Sequence, residues 1–354
     1  MIYSSKQWIN DMDLVLSNMG DISELNGRSV LITGATGLIC SAVIDLLIRY
    51  NETHDEQIRI IAAARSFDKL MDRFSTFCSR EYFEFVPYDA TDKVFSYDGH
   101  ADYIVHGASN ATPGKIIKEP VETMISNFIG IEVLLEYAQK TGTERLLYIS
   151  SSEIYGVKSD DGPFHEDAYG FVDILNPRNS YPVAKRAAET LCASYAAEYG
   201  FESVIVRPGH IYGPTATKTD NRVSSVWAYD AAKGRNIVMK SDGAQVRSYC
   251  HCLDCASAIL KVLLKGEPSQ AYNIANPASK ASIREMAEIL TENAGVKLLY
   301  ERPSEDEEKA FNPMNNSTLD SSALVGLGWT GVFDAQKGFA HTIKVIKEST
   351  EGKC

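Results

Sequence analysis

The run Ser29-Val-Leu-Ile-Thr33, followed directly by Gly34-Ala-Thr-Gly37, decides the fold of this chain. Residues typical of a strand end in a glycine turn, and the next segment, Leu38 to Arg49, has the apolar spacing of a helix. Glycine lets the backbone turn tightly and approach a pyrophosphate, which the amides and dipole of the helix N-terminus can bind. A strand, a glycine turn and a helix in this order predict a dinucleotide site.

Strand-like and helix-like segments alternate from this turn to Arg207. We expect further strands at Arg59 to Ala63, Phe83 to Val86, Tyr103 to His106, Leu146 to Ser150 and Glu202 to Arg207, with long helices at Pro120 to Lys140 and Tyr181 to Tyr199. Such alternation implies a parallel sheet with helices on both faces. The predicted fold class is therefore α/β, a doubly wound parallel sheet of the Rossmann type with a smaller C-terminal substrate-binding lobe.

The alternation breaks where Pro208, Gly209, Gly213 and Pro214 follow the last of these strands. We expect an N-terminal helical extension over residues 1–27, capped by Ser4 or Ser5. The dinucleotide-binding domain is expected over 28–207 plus about 244–275, and the substrate-binding lobe over about 208–243 and 276–354. A strand and a helix near 246–264 are expected to return to the main sheet.

Charge and composition exclude several classes of protein. The net charge of −12 argues against a nucleic-acid binder, because neutralising phosphates needs a basic surface. No apolar run approaches the length of a membrane span, and the N-terminus does not resemble a signal peptide. Seven scattered cysteines indicate a reducing, cytoplasmic location, and Cys250-His-Cys252 with Cys255 lacks the second paired half of a metal site. We expect no metal, no nucleic acid and no membrane partner.

The candidate catalytic residues follow a predicted buried strand, Leu146 to Ser150, whose end carries Ser151, Ser152 and Glu153. In parallel α/β sheets, ligands bind beyond such strand ends. Tyr181 and Lys185 are four residues apart on a predicted helix and therefore share one face. An ammonium beside a phenol lowers the phenol pKa, so a Ser, Tyr and Lys set could relay a proton while a hydride leaves the same carbon. A second Tyr-x-x-x-Lys match, Tyr229 to Lys233, has no preceding strand that ends in such polar residues.

The residues after the second and third strands bear on the choice of dinucleotide. An acidic residue is expected after the second strand when the cofactor ribose has a free 2′-hydroxyl. Here the strand is followed by Arg65 and Ser66, which suit a 2′-phosphate and therefore NADP. Asp89, after the third strand, is placed to meet the adenine amino group.

Several motifs together resemble the extended short-chain dehydrogenase/reductase family, specifically its nucleotide-sugar epimerases, dehydratases and decarboxylases. The resemblance runs from about Ser29 to about Trp329, and its motifs are Thr33 to Gly37, Asp89, His106 to Ser109, Asn127 to Gly130, Ser150 to Gly156, Tyr181 to Lys185, Arg207 to Pro214, Arg222-Val223, and Gln245 to Tyr249 before Asp254. The resemblance implies bound NAD, a nucleoside-diphosphate sugar between the two lobes, and a homodimer formed through the helices at 120–140 and 181–199.

The resemblance also implies roles for individual residues. Ser151 would supply the triad hydroxyl, Tyr181 the base and Lys185 its partner on the nicotinamide ribose. The implied cofactor-binding residues are Gly34, Ala35, Thr36, Gly37, Leu38, Ile39, Arg65, Ser66, Asp89, Ala90, Ala108, Asn127, Tyr181, Lys185 and Pro208. The implied substrate-binding residues are Thr112, Ser152, His210, Arg222 and Arg247, where the two arginines would hold the diphosphate.

Three positions depart from the family pattern. Cys40 replaces the third glycine of the turn, where a small residue is needed for close helix–strand packing. Arg65 replaces the usual acid, which leaves NADP possible. His210 replaces an asparagine near the substrate, where it could bind the sugar or titrate.

Glu153 guides the choice among reactions. After Tyr181 has initiated oxidation at C4, a carboxylate here could remove the C5 proton and protonate a leaving hydroxyl at C6. We therefore expect an NAD(P)-dependent 4,6-dehydratase, with a 4-epimerase as the alternative. A UDP-glucuronate-type decarboxylase ranks third, because the family places its carboxylate-binding arginine near the C-terminus and no arginine follows Arg302. An NADPH-dependent carbonyl reductase and a non-catalytic dinucleotide-binding regulator are the alternatives from other classes.

Overall fold

The computed structural model describes residues 2–111, 113–217, 219–303 and 316–351. Its strands are β1 (Ser29–Thr33), β2 (Arg59–Ala64), β3 (Phe83–Pro87), β4 (Tyr103–His106), β5 (Arg145–Ile149), β6 (Ser203–Pro208), β7 (His210–Tyr212), β8 (Ile237–Met239), β9 (Val246–His251), β10 (Ala271–Ile274), β11 (Lys280–Ser282), β12 (Leu298–Tyr300) and β13 (Asn316–Ser317). Its α-helices are α1 (Lys6–Asn18), α2 (Leu38–Thr53), α3 (Phe67–Phe74), α4 (Pro113–Lys118), α5 (Pro120–Thr141), α6 (Ser180–Tyr199), α7 (Val223–Ala232), α8 (Cys252–Lys265), α9 (Ile283–Ala294), α10 (Ser322–Gly326) and α11 (Ala335–Glu351).

Seven parallel strands form the main sheet, in the order β10-β6-β5-β4-β1-β2-β3. Side chains alternate between two cores: Val30 and Ile32 of β1 pack on the side of α2 and α8, and Leu31 packs on the side of α5 and α6. The predicted doubly wound α/β fold is therefore confirmed. The direction of winding reverses between β1 and β4, and ligands bind beyond the carboxyl ends of the strands at such a point.

The N-terminal extension is helical, as expected, and Ser5 caps α1 by accepting a hydrogen bond from the Trp8 amide. Trp8 is fully buried in the core that also contains α2 and α8. Its indole donates to the buried carboxylate of Asp45 at 3.2 Å, and the same carboxylate pairs with Tyr3 and Arg73. The extension is thus packed into the main domain.

The chain beyond Pro208 forms two smaller sheets. β9 pairs with β7, β11 and β13, and β8 pairs with β12. The expectation that the strand near 246 returns to the main sheet is wrong, because the seventh strand of that sheet is β10. The helix that follows β9, α8, does pack against α2. The helices α7, α9 and α11 surround a separate core.

Candidate active site

The glycine turn has the geometry that a pyrophosphate site requires. Gly34 has a φ of 71°, and a Cβ at this position would lie 2.9 Å from the amide nitrogen of Ala108. The Gly37 amide donates to the Gly34 carbonyl at 2.8 Å, and Gly37 caps α2 without a side-chain hydrogen bond. Ala35 and Thr36 span the turn, and Leu38 and Ile39 open the helix. The first amides of α2 are therefore presented toward a ligand at the helix N-terminus.

Cys40 fills the space that the third glycine would leave. It is buried, and a Cβ placed on Gly107, just after β4, would lie 2.3 Å from the Cys40 sulfur. The close packing between α2 and the strand end is retained, because the residue that lacks a side chain is Gly107 instead of residue 40. The departure therefore does not block the turn.

The residues predicted for the adenine and ribose lie after β2 and β3, away from the catalytic residues after β5. Arg65 is exposed and forms no ion pair with any residue that the structure describes. Ser66 caps α3 by accepting a hydrogen bond from the Lys69 amide at 3.3 Å. Asp89 accepts two hydrogen bonds from Thr91.

Other predicted cofactor residues lie at further strand ends and on α5. The Ala108 amide donates to the Thr33 hydroxyl at 3.3 Å, and Pro208 ends β6 in a buried position. Asn127 of α5 donates to the Thr123 carbonyl at 2.7 Å, while its amide oxygen is buried and has no partner among the described residues. Ala90 is buried.

Tyr181 and Lys185 lie in the first turns of α6 and are both buried. The Lys185 ammonium donates to the Ile149 carbonyl at 2.7 Å and lies 5.7 Å from the centre of the Tyr181 ring. Burial lowers the pKa of Lys185 to about 7. Ser151 follows β5 and caps the short 3₁₀ turn that begins at Ser152, accepting from the Glu153 amide at 3.2 Å.

The pKa of Tyr181 is raised instead of lowered. Burial is the largest cause, and the Glu153 carboxylate adds to it, whereas hydrogen bonding with Ser151, the charge of Arg222 and hydrogen bonding with Ser109 oppose the rise. The predicted lowering by Lys185 is therefore wrong for the protein alone, because desolvation of the phenolate outweighs the nearby positive charges. These interactions also place the phenol beside Ser151, Glu153 and Arg222.

Glu153 faces the same space as the phenol. Its side chain is exposed, and desolvation by the surrounding protein raises its pKa. The guanidinium of Arg178, from the 3₁₀ turn just before α6, opposes this shift. Glu153 is thus a carboxylate with an enhanced affinity for a proton.

Of the predicted substrate residues from the second lobe, Arg222 lies near the phenol, and Arg222 and Arg247 both lie near His210. Arg222 caps α7, donates through Nε to Asp220 at 2.9 Å, and its charge reaches both Tyr181 and His210. Arg247 is buried and donates to the Val246 carbonyl at 3.0 Å. Two fixed guanidinium groups here are suited to a diphosphate.

His210 remains neutral near pH 7. Burial, together with the charges of Arg247 and Arg222, lowers the pKa of His210 to about 3. Its Nδ1 atom is buried without a hydrogen-bond partner among the described residues. Of the two roles expected for this residue, the geometry favours hydrogen bonding over titration. Thr112, the remaining predicted substrate residue, lies outside the described residues.

Two side chains near the phenol received no role from the sequence. Ser109 belongs to a motif of the resemblance, and Arg178 stands three residues ahead of Tyr181. The register between β4 and β5 brings Ser109 beside Ser151, as described below, and the sequence does not reveal this register. Arg178 could have been noticed as a cation in the turn before the Tyr181 helix.

The described residues contain neither a metal-binding cluster nor a membrane-spanning helix. Among residues 2–111, 113–217, 219–303 and 316–351, no group of three or more His, Cys, Asp or Glu side chains is arranged to hold a metal ion. Cys250, Cys252 and Cys255 are buried thiols. None of the helices in the described part of the chain is long and apolar enough to cross a bilayer.

Comparison with known proteins places this site in a family. A model described as the NAD dependent epimerase/dehydratase family matches residues 30–275. UDP-glucuronic acid decarboxylase 6 of Arabidopsis thaliana is 30% identical over 304 residues, which cover 85% of this chain and 83% of that protein. Among solved structures, UDP-glucose 4-epimerase of Thermotoga maritima has a TM-score of 0.76 at 22% identity, covering 91% of this chain and 99% of its own.

A dehydratase shares the fold as well. The structure of dTDP-glucose 4,6-dehydratase from Bacillus anthracis in complex with NAD has a TM-score of 0.74 at 20% identity, covering 92% of this chain and 98% of its own. The family match spans well over half of the residues, and the glycine turn and the Tyr181 and Lys185 pair lie within it. The chain belongs to the NAD-dependent epimerase/dehydratase family.

Proposed function

We propose that this protein is a nucleotide-sugar lyase that acts through a 4-keto intermediate, and specifically a 4,6-dehydratase. The observation that carries the proposal is the pairing of two groups: the Glu153 carboxylate, whose own pKa is raised, lies near enough to the buried phenol of Tyr181 to raise the pKa of that phenol. Oxidation at C4 requires only the phenol as a base. Elimination of water across C5 and C6 requires a second acid–base group, which Glu153 supplies.

The residues of the chain fit a dinucleotide. The turn at Gly34 has no room for a Cβ, the N-terminus of α2 carries no side-chain cap, and the Asn127 oxygen is buried without a partner among described residues. NAD is the proposed cofactor, and the exposed cation of Arg65, which forms no ion pair with the residues that the structure describes, keeps NADP as the alternative. NAD bound there would supply the hydride acceptor for C4 and the hydride donor for C6.

The protein groups then divide the proton transfers. Tyr181, held beside Ser151, takes the proton of the C4 hydroxyl, and the resulting ketone makes the C5 hydrogen acidic. Glu153 removes that C5 proton and delivers it to the C6 hydroxyl, which leaves as water. As a hydride is restored at C6, C5 regains a proton, which balances the proton that Tyr181 took from the C4 hydroxyl. Arg222 and Arg247 bind the diphosphate, and neutral His210 is available to hydrogen-bond the sugar. The net change is the loss of one water from the hexose.

A second candidate, decarboxylation of a UDP-glucuronate-type substrate, is favoured by one specific observation. Arg178 lies close enough to Glu153 to influence its pKa, so a cation could meet a substrate carboxylate at C6 even though no arginine follows Arg302. The 30% identical relative carries the name of such a decarboxylase. Release of carbon dioxide from UDP-glucuronate would establish this candidate in place of the first.

The reaction is tested with purified protein and a panel of dTDP-, UDP-, GDP- and CDP-hexoses together with UDP-glucuronate. A 4-keto-6-deoxy product supports the dehydratase. A C4 epimer formed without loss of water refutes it, and steady consumption of added NADPH by a simple carbonyl compound indicates a reductase instead. The mass of any dinucleotide that co-purifies distinguishes NAD from NADP.

The role of the phenol has its own test. Tyr181→Phe is expected to bind the dinucleotide nearly as well as the parent protein and to lose turnover, because the ring packing remains and the proton acceptor does not. Calorimetric binding of NAD and product formation are measured on the same preparation. Unchanged turnover in this variant would refute the role of Tyr181.

A further inference from the structure

Strand register brings a second serine to the catalytic tyrosine. β4 and β5 are parallel neighbours in which His106 lies opposite Tyr148. Ser109 and Ser151 each follow that pair by three residues, so both emerge at the carboxyl edge of the sheet on adjacent strands. Ser109 stands on the side toward β1 and the glycine turn, because β4 lies between β5 and β1.

The Ser109 hydroxyl is buried, and like the Ser151 hydroxyl it acts on the Tyr181 phenol. Its oxygen has no partner of full hydrogen-bond geometry among the described residues, although a buried hydroxyl is costly to leave unpaired. Hydrogen bonding from Ser109 nevertheless contributes to lowering the pKa of Tyr181, as does that from Ser151. The hydroxyl is therefore within reach of the phenolic oxygen and needs a small reorientation to bond it fully.

We propose that Ser109 is a positioning residue for Tyr181: the hydroxyls of Ser109 and Ser151, from adjacent strands, hold the phenolic oxygen between them and donate to its ionised form. The inference rests on the proposed function, in which Tyr181 is the base. Ser109 touches neither the sugar nor the reacting carbon in this scheme and acts through the phenol.

The charges around the phenol explain why a second donor matters. Burial and the Glu153 carboxylate disfavour the phenolate, and Arg222 favours it. The Lys185 ammonium lies 5.7 Å from the ring centre but donates to the Ile149 carbonyl, and the buried Tyr148 ring lies 4.6 Å from that ammonium. Neutral donors that point at the oxygen therefore carry part of the stabilisation that the charged groups do not supply.

The substitution Ser109→Ala tests the proposal through pH dependence. A lost donor to the phenolate is expected to raise the apparent pKa of Tyr181 by about one unit, and thus to lower turnover roughly tenfold on the acidic side of the pH profile. Turnover is expected to recover as the pH rises, with KM unchanged. Ser109→Thr keeps the hydroxyl and is expected to retain most of the parent turnover on the acidic side of the pH profile.

A direct titration separates this proposal from the proposed function. In the NAD-bound protein, the ultraviolet difference spectrum against Tyr181→Phe reports the ionisation of this one phenol, and it needs no sugar substrate. Ser109→Ala is compared with its own Tyr181→Phe background. If no nucleotide sugar is turned over, the proposed function fails while this titration still decides the role of Ser109.

Ser150→Ala is the matched control, because Ser150 also has a buried, unpartnered hydroxyl at this edge among the described residues and is not among the groups that shift the pKa of Tyr181. In Ser150→Ala, the pKa of Tyr181 is expected to be the same as in the parent protein. A Tyr181 titration that is the same in Ser109→Ala as in the parent overturns the proposal. Should Ser109→Ala fail to fold, Ser109→Cys, which keeps the volume with a weaker donor, is expected to shift the titration in the same direction, and an unshifted titration there overturns it equally.

Discussion

Glu153 is the side chain that decides which product the proposed enzyme releases. Glu153→Gln is expected to retain oxidation at C4, seen as absorbance of the reduced nicotinamide, and to lose water elimination by a factor of roughly 10² to 10⁴. The oxidation should not move to higher pH, because the substitution removes a negative charge that raises the pKa of Tyr181. Both events are followed in a single turnover.

The matched control for that experiment is Glu198→Gln, an exposed carboxylate at the other end of α6. It is expected to behave like the parent protein. Formation of the 4-keto-6-deoxy product at the parent rate by Glu153→Gln would contradict the role of Glu153 and would favour an enzyme that stops at the ketone.

Cys40 and Gly107 form a pair of small positions that depend on each other. Gly107→Ala is expected to destabilise the protein by about 1–3 kcal/mol, because the new Cβ would meet the Cys40 sulfur. Adding Cys40→Gly should recover part of that loss, giving a coupling energy of about 0.5–3 kcal/mol in a double-mutant cycle. Urea unfolding of the four proteins measures it.

Cys192 provides the comparison, since it is buried in the core on the opposite face of the sheet. Cys192→Gly combined with Gly107→Ala is expected to give additive losses of stability. If the losses of stability from Gly107→Ala and Cys40→Gly are also additive, Gly107 and Cys40 are not in contact in solution.

Some residues of the site could be identified from sequence and others could not. Tyr181 and Lys185 are four apart on a helix, so their shared face follows from the helical repeat alone. The direction of the Tyr181 pKa shift depends on burial and on Glu153, which only a three-dimensional arrangement supplies. Ser109 depends on the register of two strands, and Arg178 on the position of a short turn.

At the scale of elements, the histidine that caps α8 predicts a pH dependence of stability. His251 is fully buried and accepts a hydrogen bond from the Leu253 amide at 3.4 Å. Burial, with the nearby charges of His341 and Lys337, lowers the pKa of His251 to about 3. The unfolded chain binds a proton here at higher pH than the folded chain, so the stability present above pH 6.5 is lost as the pH falls toward 3.

His251→Asn keeps an acceptor at the cap position and removes the titration. Between pH 7 and pH 5 the parent protein is expected to lose about 2 kcal/mol of unfolding free energy relative to this variant. Urea unfolding of both proteins at a series of pH values measures the difference. A difference that stays constant over this range would mean that His251 is not buried in its neutral form.

The strands of the main sheet are predictable because, apart from the step from β3 to β4, the strands from β1 to β6 that follow one another along the chain are also neighbours in the sheet. From β1 to β6, each connection is a helix or a loop between parallel strands, and the apolar runs mark the strands. β9 has the same residue pattern, but its partners are strands of two or three residues that come from three distant segments. The pattern identifies the strand without identifying its sheet.

At the scale of the whole molecule, an apolar stripe on α5 supports the proposed homodimer. Val121, Met124, Ile125 and Phe128 are spaced as one face of a helix and are 62%, 43%, 42% and 39% exposed. We expect this face to pack against a second copy. Met124→Glu with Phe128→Glu should convert a species of twice 39.0 kDa into one of 39.0 kDa in analytical ultracentrifugation.

Val94→Glu is the control for the dimer, because Val94 is 71% exposed and lies outside that stripe. It is expected to leave the association state unchanged. A parent protein that sediments as a single chain at micromolar concentration would refute the proposed dimer.

The overall α/β architecture followed from the sequence, but the position of the N-terminal extension did not. The sequence predicts the helix, with Ser4 or Ser5 as its cap. The position of the extension depends on Asp45, whose carboxylate accepts a hydrogen bond from Trp8 and pairs with Arg73. It also depends on Glu348, which accepts a hydrogen bond at 2.7 Å from Ser5, 343 positions away in the chain. Contacts at such separations leave no local signal in the sequence.

The position of α1 delays its packing during synthesis on the ribosome, because some of its partners are made much later. The first helix to be made finds part of its binding surface on α8 and α11, and α11 is the last helix that the structure describes. At roughly 5–20 residues per second, Trp8 and its apolar neighbours wait about 20 to 70 seconds until α11 has been made. During that interval the nascent chain exposes an apolar segment. We expect chaperones to bind this segment until translation is nearly complete.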